Sequence, residues 1–409
     1  MAPASLQPSR RSFRLVHGTG LVLILAIFYK LFIHDIVFEK PTPIPTDRNV
    51  GGFSWRCTRL EHPLMEGCEH LWLDHKNRKL YGTCSNFSTH TDTSVESDYP
   101  TMARRDHVSV MEIDSPPGQD NAYNLHRLEV ADGFKGELDL HGLDARRIGD
   151  QLRFWLINHR PFVNADTGEI IEEKKNYTVE VFDLDEDAGA LVPVKTISSE
   201  LLDSPNNLAV DTTGDGILVI NDHVTKVGPF RGGKEVVGDA NLAECQTDSG
   251  ECRLITTKGF GYANGIVIDS QEHIYVPGVS GVVLVYEMEY GELKLLNSFR
   301  TSLGIDRISV NAEDSIVITA FPDSLELIKA STNPLDPVPG ATLLLAKRET
   351  INPEQSEEQG YQAYFLITDE DGELMPSTTI AVHDVKTDRL FLTGIFSRGI
   401  NICTQRAMK

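Results

Sequence analysis

Asn206-Asn207-Leu208-Ala209-Val210-Asp211, followed by a polar turn and Ile217-Leu218-Val219-Ile220, is the stretch on which the fold is decided. Its apolar residues alternate, which is the period of a strand with one face buried. The short turn and the β-rich run after it make the pair an antiparallel hairpin. The same pattern recurs along the chain: a polar residue with apolar residues two and four positions later. It begins at Glu69 (EHLWLD), His141 (HGLDAR), Asn264 (NGIVID), Asp306 (DRISVN) and Thr378 (TTIAVH). The second runs are Lys79–Gly82, Phe154–Ile157, His273–Val276, Ile316–Thr319 and Leu390–Thr393. Further strand pairs lie between the hairpins, such as Val179–Phe182 and Val282–Tyr286. Two hairpins make a four-stranded blade, and six units in one register make a six-bladed β-propeller. Alternation alone also fits a β-sandwich, but the regular register favours the propeller, and no amphipathic helical stretch competes with it.

The 409 residues are 40% hydrophobic and carry a net charge of −22, which excludes a nucleic-acid partner, since that needs a basic face. Residues 1–14 read as a cytosolic tail bearing Arg10, Arg11 and Arg14. The apolar run from Leu15 to Ile33 is long enough to span a bilayer, so residues 15–38 read as a single transmembrane signal anchor. No small-x-small cleavage site follows it, which favours an uncleaved anchor over a cleaved signal peptide. Residues 39–52 are a linker, and 53–409 the propeller, expected in the secretory lumen or outside the cell. The sequons at Asn86 and Asn176 and the even number of cysteines agree with that compartment. Trp55–Leu60 and Ile400–Thr404 both read as strands, so a Cys57–Cys403 disulfide would staple the closing blade. Hairpin geometry places Cys68 near Cys84, and Cys245 and Cys252 bracket a turn-like segment that could close as a small loop. Free buried thiols are the alternative, disfavoured by an oxidising compartment.

In a propeller the innermost strands begin near one face of the central channel, so Glu69, His141, Asn206, Asn264, Asp306 and Thr378 should meet around the axis. Two carboxylates and two amides (Glu69, Asn206, Asn264, Asp306) make a hard-oxygen cage, which suits calcium better than zinc. The alternative is that polar residues merely start strands. Antiparallel pairing brings His159 beside His141, which gives a pair of imidazoles able to move a proton near neutral pH. Asp222 and His223 lie at the matching place in the Asn206 hairpin and should support the ring from behind.

These residues, with Gly67-Cys68-Glu69-His70, Leu140-His141-Gly142, Asn221-Asp222-His223, Ala263-Asn264-Gly265-Ile266 and the terminal cysteines, resemble the serum paraoxonase/arylesterase family. That family comprises calcium-dependent six-bladed propellers that hydrolyse lactones and aryl esters. The resemblance implies a catalytic calcium held by Glu69, Asn206, Asn264 and Asp306, with His141 as general base, His159 assisting and Tyr262 lining the substrate pocket. Three departures stand out. Arg307 replaces an asparagine ligand, and a cation there should weaken metal binding unless it turns away. His70 and Asn207 replace the aspartates of a second, structural calcium site, which should then be absent or weak. Ala320 and Phe321 replace a cysteine and a histidine of the substrate wall, so substrate preference does not carry over. Rival readings are a gluconolactonase-like or strictosidine-synthase-like enzyme, and a lumenal propeller that binds a partner without catalysis.

Overall fold

The computed structural model describes residues 53–85, 106–115, 122–163, 167, 170–222, 240–256, 260, 263–322, 340–350, 359–370 and 372–407. All of them lie in the second of the two units into which the chain divides, Thr46–Lys409. The expected tail, anchor and linker, and with them Asn86, His223 and Tyr262, lie outside the described residues. Among the described residues no helix is long and apolar enough to cross a membrane.

The described chain is all-β, with six antiparallel blades. Blade 1 comprises Cys68–Asp74, Lys79–Cys84, His107–Glu112 and His126–Arg127. Blade 2 comprises Leu140–Ile148, Gln151–Asn158, Thr178–Asp185 and Ala190–Ser198, with Glu129–Val130 added in parallel at the outer edge. Blade 3 is Pro205–Val210, Gly216–Asn221, Asn241–Gln246 and Cys252–Thr256, and blade 4 is Val267–Ile268, Ile274–Pro277, Val282–Glu289 and Glu292–Arg300. Blade 5 is Gly304–Val310, Ile316–Phe321, Ala341–Thr350 and Gln359–Asp369. Blade 6 takes Ile380–Asp384, Arg389–Thr393 and Gly399–Ala407 from the C-terminal end and Phe53–Glu61 from the N-terminal end. The innermost strand of each blade neighbours that of the next, and the sixth returns to the first.

Closure rests on the pairing of Phe53–Glu61 with Gly399–Ala407, in which Cys57 lies opposite Cys403 and is disulfide-bonded to it. The chain-entropy model assigns a loop of this length roughly 6 kcal/mol of stabilisation. Cys68–Cys84 and Cys245–Cys252 are the other two disulfides, so all six cysteines are paired.

The core lies between blades, because both faces of each blade are covered by a neighbour. One cluster joins Leu71, Leu73, Leu80 and Met111 of blade 1 to Ile380, Val382, Phe391 and Ile402 of blade 6. Another joins Trp155, Val179 and Val181 of blade 2 to Leu208, Val210 and Val219 of blade 3. Buried asparagines end the second strands of these two blades and fix the loops that lead into the inner ones. Asn158 Oδ1 accepts from Asp139 N at 2.8 Å, and Asn221 Oδ1 accepts from Ser204 N at 3.0 Å.

One inner strand is shorter than its alternation predicts. Asn264–Asp269 reads as a strand, yet only Val267–Ile268 pairs as one, with an isolated bridge from Ala263 to Gly278. The partner at this point is Pro277, which has no N–H to donate, so the ladder reduces to Asn264 N donating to Pro277 O at 3.2 Å.

Candidate active site at the propeller axis

Bulges, rather than regular alternation, aim the polar residues at the axis. In blade 1 the pairing steps from Cys68↔Cys84 to His70↔Thr83, which leaves Glu69 as an extra residue. Blade 3 steps from Pro205↔Asn221 to Asn207↔Ile220 around Asn206, and blade 5 from Ile305↔Ala320 to Arg307↔Thr319 around Asp306. Blade 2 shifts between Leu140 and Leu143, around His141 and Gly142. An extra residue breaks the alternation of faces, so two consecutive side chains turn toward the same region. Arg307 therefore enters the ring beside Asp306.

His141 is held from two sides. Its Nδ1 lies 2.7 Å from the Asn206 carbonyl oxygen, and its Nε2 lies 3.1 Å from Glu69 Oε1. Thr83 Oγ1 donates to its backbone carbonyl at 3.0 Å. His159 Nε2 sits 2.6 Å from the Pro205 carbonyl oxygen, and the two imidazole centroids are 4.8 Å apart. On its other side the His159 ring packs 4.5 Å from Tyr177. The pair thus hangs on consecutive carbonyls at the start of one blade 3 strand. A carbonyl only accepts, so His141 carries its proton on Nδ1 and His159 carries its proton on Nε2. The neutral His141 keeps a lone pair on Nε2.

Arg307 is 1% exposed. Its Nη2 donates to Glu69 Oε1 at 2.6 Å and lies 3.4 Å from His141 Nδ1, while Nη1 is buried without a partner among the described residues. Asn264 Nδ2 donates to Asp306 Oδ1 at 2.7 Å. Asn206 Oδ1 is buried and lacks a partner among the described residues. Asp222 accepts from Ser204 Oγ at 2.5 Å, and its charge acts on His141. Phe321, 4% exposed, ends its blade 5 strand opposite Gly304. Asn176 is half-buried.

The electrostatics follow from burial. Burial alone would raise the Glu69 carboxyl, but His141 and Arg307 outweigh it and hold the group below its ordinary value. Asp306 is pushed up to about 7 by burial, with Glu69 adding to the rise and Arg307 opposing it. Burial lowers His141, with Glu69 opposing; burial and then His141 lower His159 to about 4. Asp106, which accepts from Leu140 N at 2.7 Å behind the His141 strand, is pushed up to about 8 by burial and then by Asp139.

The expected calcium ligands therefore gather, but not as a cage open to an ion. Glu69 Oε1 is held by the guanidinium and Asp306 Oδ1 receives an amide N–H, while Asn206 Oδ1 and Thr378 Oγ1 are buried without a partner among the described residues. A calcium ion on the Glu69 oxygen would lie within about 5 Å of Nη2, where a 2+ and a 1+ charge repel by about 7 kcal/mol at an effective dielectric near 20. The residues as arranged do not fit the ion. Among the described residues no group of three or more His, Cys, Asp or Glu could hold a metal. At the second expected site His70, with both ring nitrogens unpartnered among the described residues, and Asn207 contribute no carboxylate.

The sequence alone puts Arg307 at a ligand position and leaves open whether its side chain turns away; in the structure it turns inward. The Pro205 and Asn206 carbonyls are invisible to any reading by residue type. The adjacency of Asp306 and Arg307 was the available signal, but only the bulge makes both face inward.

A six-bladed propeller with a polar axial ring and an imidazole pair is the class that this fold and site define. The arylesterase family model matches residues 165–400, and the chain belongs to that paraoxonase/arylesterase family. It is 26% identical over 222 residues to serum paraoxonase/lactonase 3 of Homo sapiens, and equally so to that of Oryctolagus cuniculus. Each match covers 53% of this chain and 58% of the relative, so it spans less than two thirds of those proteins. Among solved structures, a protein assigned as a gluconolactonase superposes with a TM-score of 0.46 at 10% identity, covering 86% of this chain and 93% of that one. A streptogramin B lyase superposes with a TM-score of 0.44 at 11% identity, covering 87% and 98%.

Gly142 is what allows blade 2 to bring His141 against blade 3. A Cβ there would lie 2.9 Å from Asn207 Cα and 3.0 Å from the Asn206 carbonyl oxygen, both backbone atoms that cannot swing aside. Gly142→Ala should cost about 1–3 kcal/mol. Thermal unfolding checks this, and an unchanged Tm would show that the two blades do not approach so closely.

Proposed function

We propose that the chain is a hydrolase of small-molecule lactones or aryl esters, acting at the axial ring with His141 as general base. The observation that carries the reading is the double anchoring of His141. With Nδ1–H given to the Asn206 carbonyl, the proton that His141 takes goes onto Nε2, where Glu69, 3.1 Å away, stabilises the imidazolium that results. The His141 and Glu69 side chains keep 20% and 16% of their surface exposed, so water and substrate have access, whereas Arg307 keeps 2%.

In this mechanism water loses a proton to Nε2 while its oxygen attacks the ester or lactone carbonyl. The tetrahedral intermediate carries a negative charge, and the fixed positive charge of Arg307 in the same ring has the sign that lowers its energy. Collapse expels the alkoxide or phenoxide, which takes the proton back from His141. His159 packs at a tilt against His141, with centroids 4.8 Å apart, and restrains its ring. Asp222 biases His141 by charge. Tyr262 and Phe321 are proposed as pocket residues, and Asn86 and Asn176 as glycosylation sites. Calcium, which the family uses, enters no step here because the ring does not fit it. Three disulfides and the basic-then-apolar N-terminal sequence support a propeller held in the secretory lumen by a membrane anchor.

A second reading, a propeller that binds a partner without catalysis, is favoured by one observation: the guanidinium stands on the carboxylate that a metal-dependent enzyme needs.

His141→Gln should lower kcat/KM on a panel of lactones and phenyl esters by about 10²- to 10⁴-fold with the Tm preserved. Undiminished turnover in a folded variant would dismiss the general-base role, and a wild type inert on the whole panel would favour the binding protein. The base acts only when neutral. Because burial lowers His141 below 6.5 against the pull of Glu69 and Asp222, and with Arg307 also lowering it, wild-type activity should hold at pH 7 and fall only below pH 6.5.

A further inference from the structure

Arg307 has the features of a built-in counter-ion rather than of a surface residue that has wandered inward. It is among the largest fully buried side chains, and its neighbour in sequence, Asp306, is itself buried. The bulge that turns Asp306 to the axis also turns Arg307, so the position of the guanidinium follows from backbone pairing and not from a chance rotamer. Its Nη2 sits 2.6 Å from Glu69 Oε1, two blades around the ring, and bridges blade 5 to blade 1. Two carboxylates brought to one buried point need a compensating cation, because uncompensated buried charge is strongly destabilising. Here the chain supplies that cation itself.

We propose that the Arg307 guanidinium takes the place of a calcium ion at the propeller axis, so that neither the fold nor the axial site needs a divalent cation, and the ring accepts one only when this guanidinium is removed. The proposal does not depend on the hydrolase reading; if no lactone or ester is turned over, the measurements below are unaffected.

The test uses the purified full-length protein, treated with EDTA and then titrated with calcium chloride by calorimetry. Thermal unfolding is followed in parallel in EGTA and in millimolar calcium. The wild type should give no saturable heat, and its two Tm values should agree within about 1 °C, because a ligand that does not bind the native state does not shift unfolding. Arg307→Asn, which removes the cation and leaves an amide oxygen beside Asp306, should unfold earlier in EGTA and recover by on the order of 5 °C or more with calcium. Arg307→Lys, which keeps the charge, should stay indifferent to calcium. One calcium bound per wild-type chain, with a Tm that chelator lowers, would overturn the proposal, as would a folded Arg307→Asn that binds none. If Arg307→Asn does not fold, the wild-type titration and the Arg307→Lys comparison still decide.

Discussion

The ion pair between Arg307 and Glu69 is the constraint around which this molecule is arranged. A propeller brings the inner strands of all its blades to one axis, so the charges carried by different blades must be settled there and nowhere else. Glu69 comes from blade 1, Asp306 and Arg307 from blade 5, and the histidines from blade 2. Removing one member of such a buried pair leaves the other uncompensated, which typically costs about 3–5 kcal/mol. Arg307 also acts on its neighbours: it helps to hold Glu69 ionised, opposes the rise of Asp306, and adds to the burial that lowers His141, a lowering that Glu69 opposes.

The site inherits its precision from the packing between blades. His141 and His159 are aimed by the backbone carbonyls of Asn206 and Pro205, and those carbonyls are placed by the apolar cluster that fastens blade 2 to blade 3. Gly142 is the close contact that lets the two strands meet. The geometry at the axis and the packing between blades therefore depend on each other, because the interface carries the acceptors that orient the two imidazoles. The two ends of the chain are tied into the same packing, since the strand carrying Cys57 completes blade 6 at its outer edge and Trp55 and Cys57 pack on the cluster shared by blades 5 and 6.

Much of this was legible in the residues alone. Leu208 and Val210, or Ile380 and Val382, alternate because each inner strand buries its side chains between two blades, and that period-2 signal survives without any structure. The pairing of Cys57 with Cys403 followed from the need to close the ring, and that of Cys68 with Cys84 from hairpin geometry. The bulges were not legible. Hydrophobic alternation resumes correctly after each of them, so Glu69, Asn206 and Asp306 look like ordinary strand starts when they are in fact extra residues. The residue types alone put Arg307 at a ligand position, where a cation weakens metal binding, but only the bulge shows that it turns inward and pairs with Glu69. The shortened Asn264 strand was overlooked for a simpler reason: the missing donor, Pro277, lies on its partner and not on the strand itself.

The axial ion pair is most directly measured by a double-mutant cycle on the full-length protein, using Glu69→Gln, Arg307→Met and the two together, each followed by denaturant unfolding. If the pair neutralises the axis, each single variant loses several kcal/mol and the double variant loses clearly less than their sum, with a coupling of about 2–3 kcal/mol. Losses that simply add, with coupling near zero, would contradict the account, because Glu69 and Arg307 would then stabilise the propeller independently of each other.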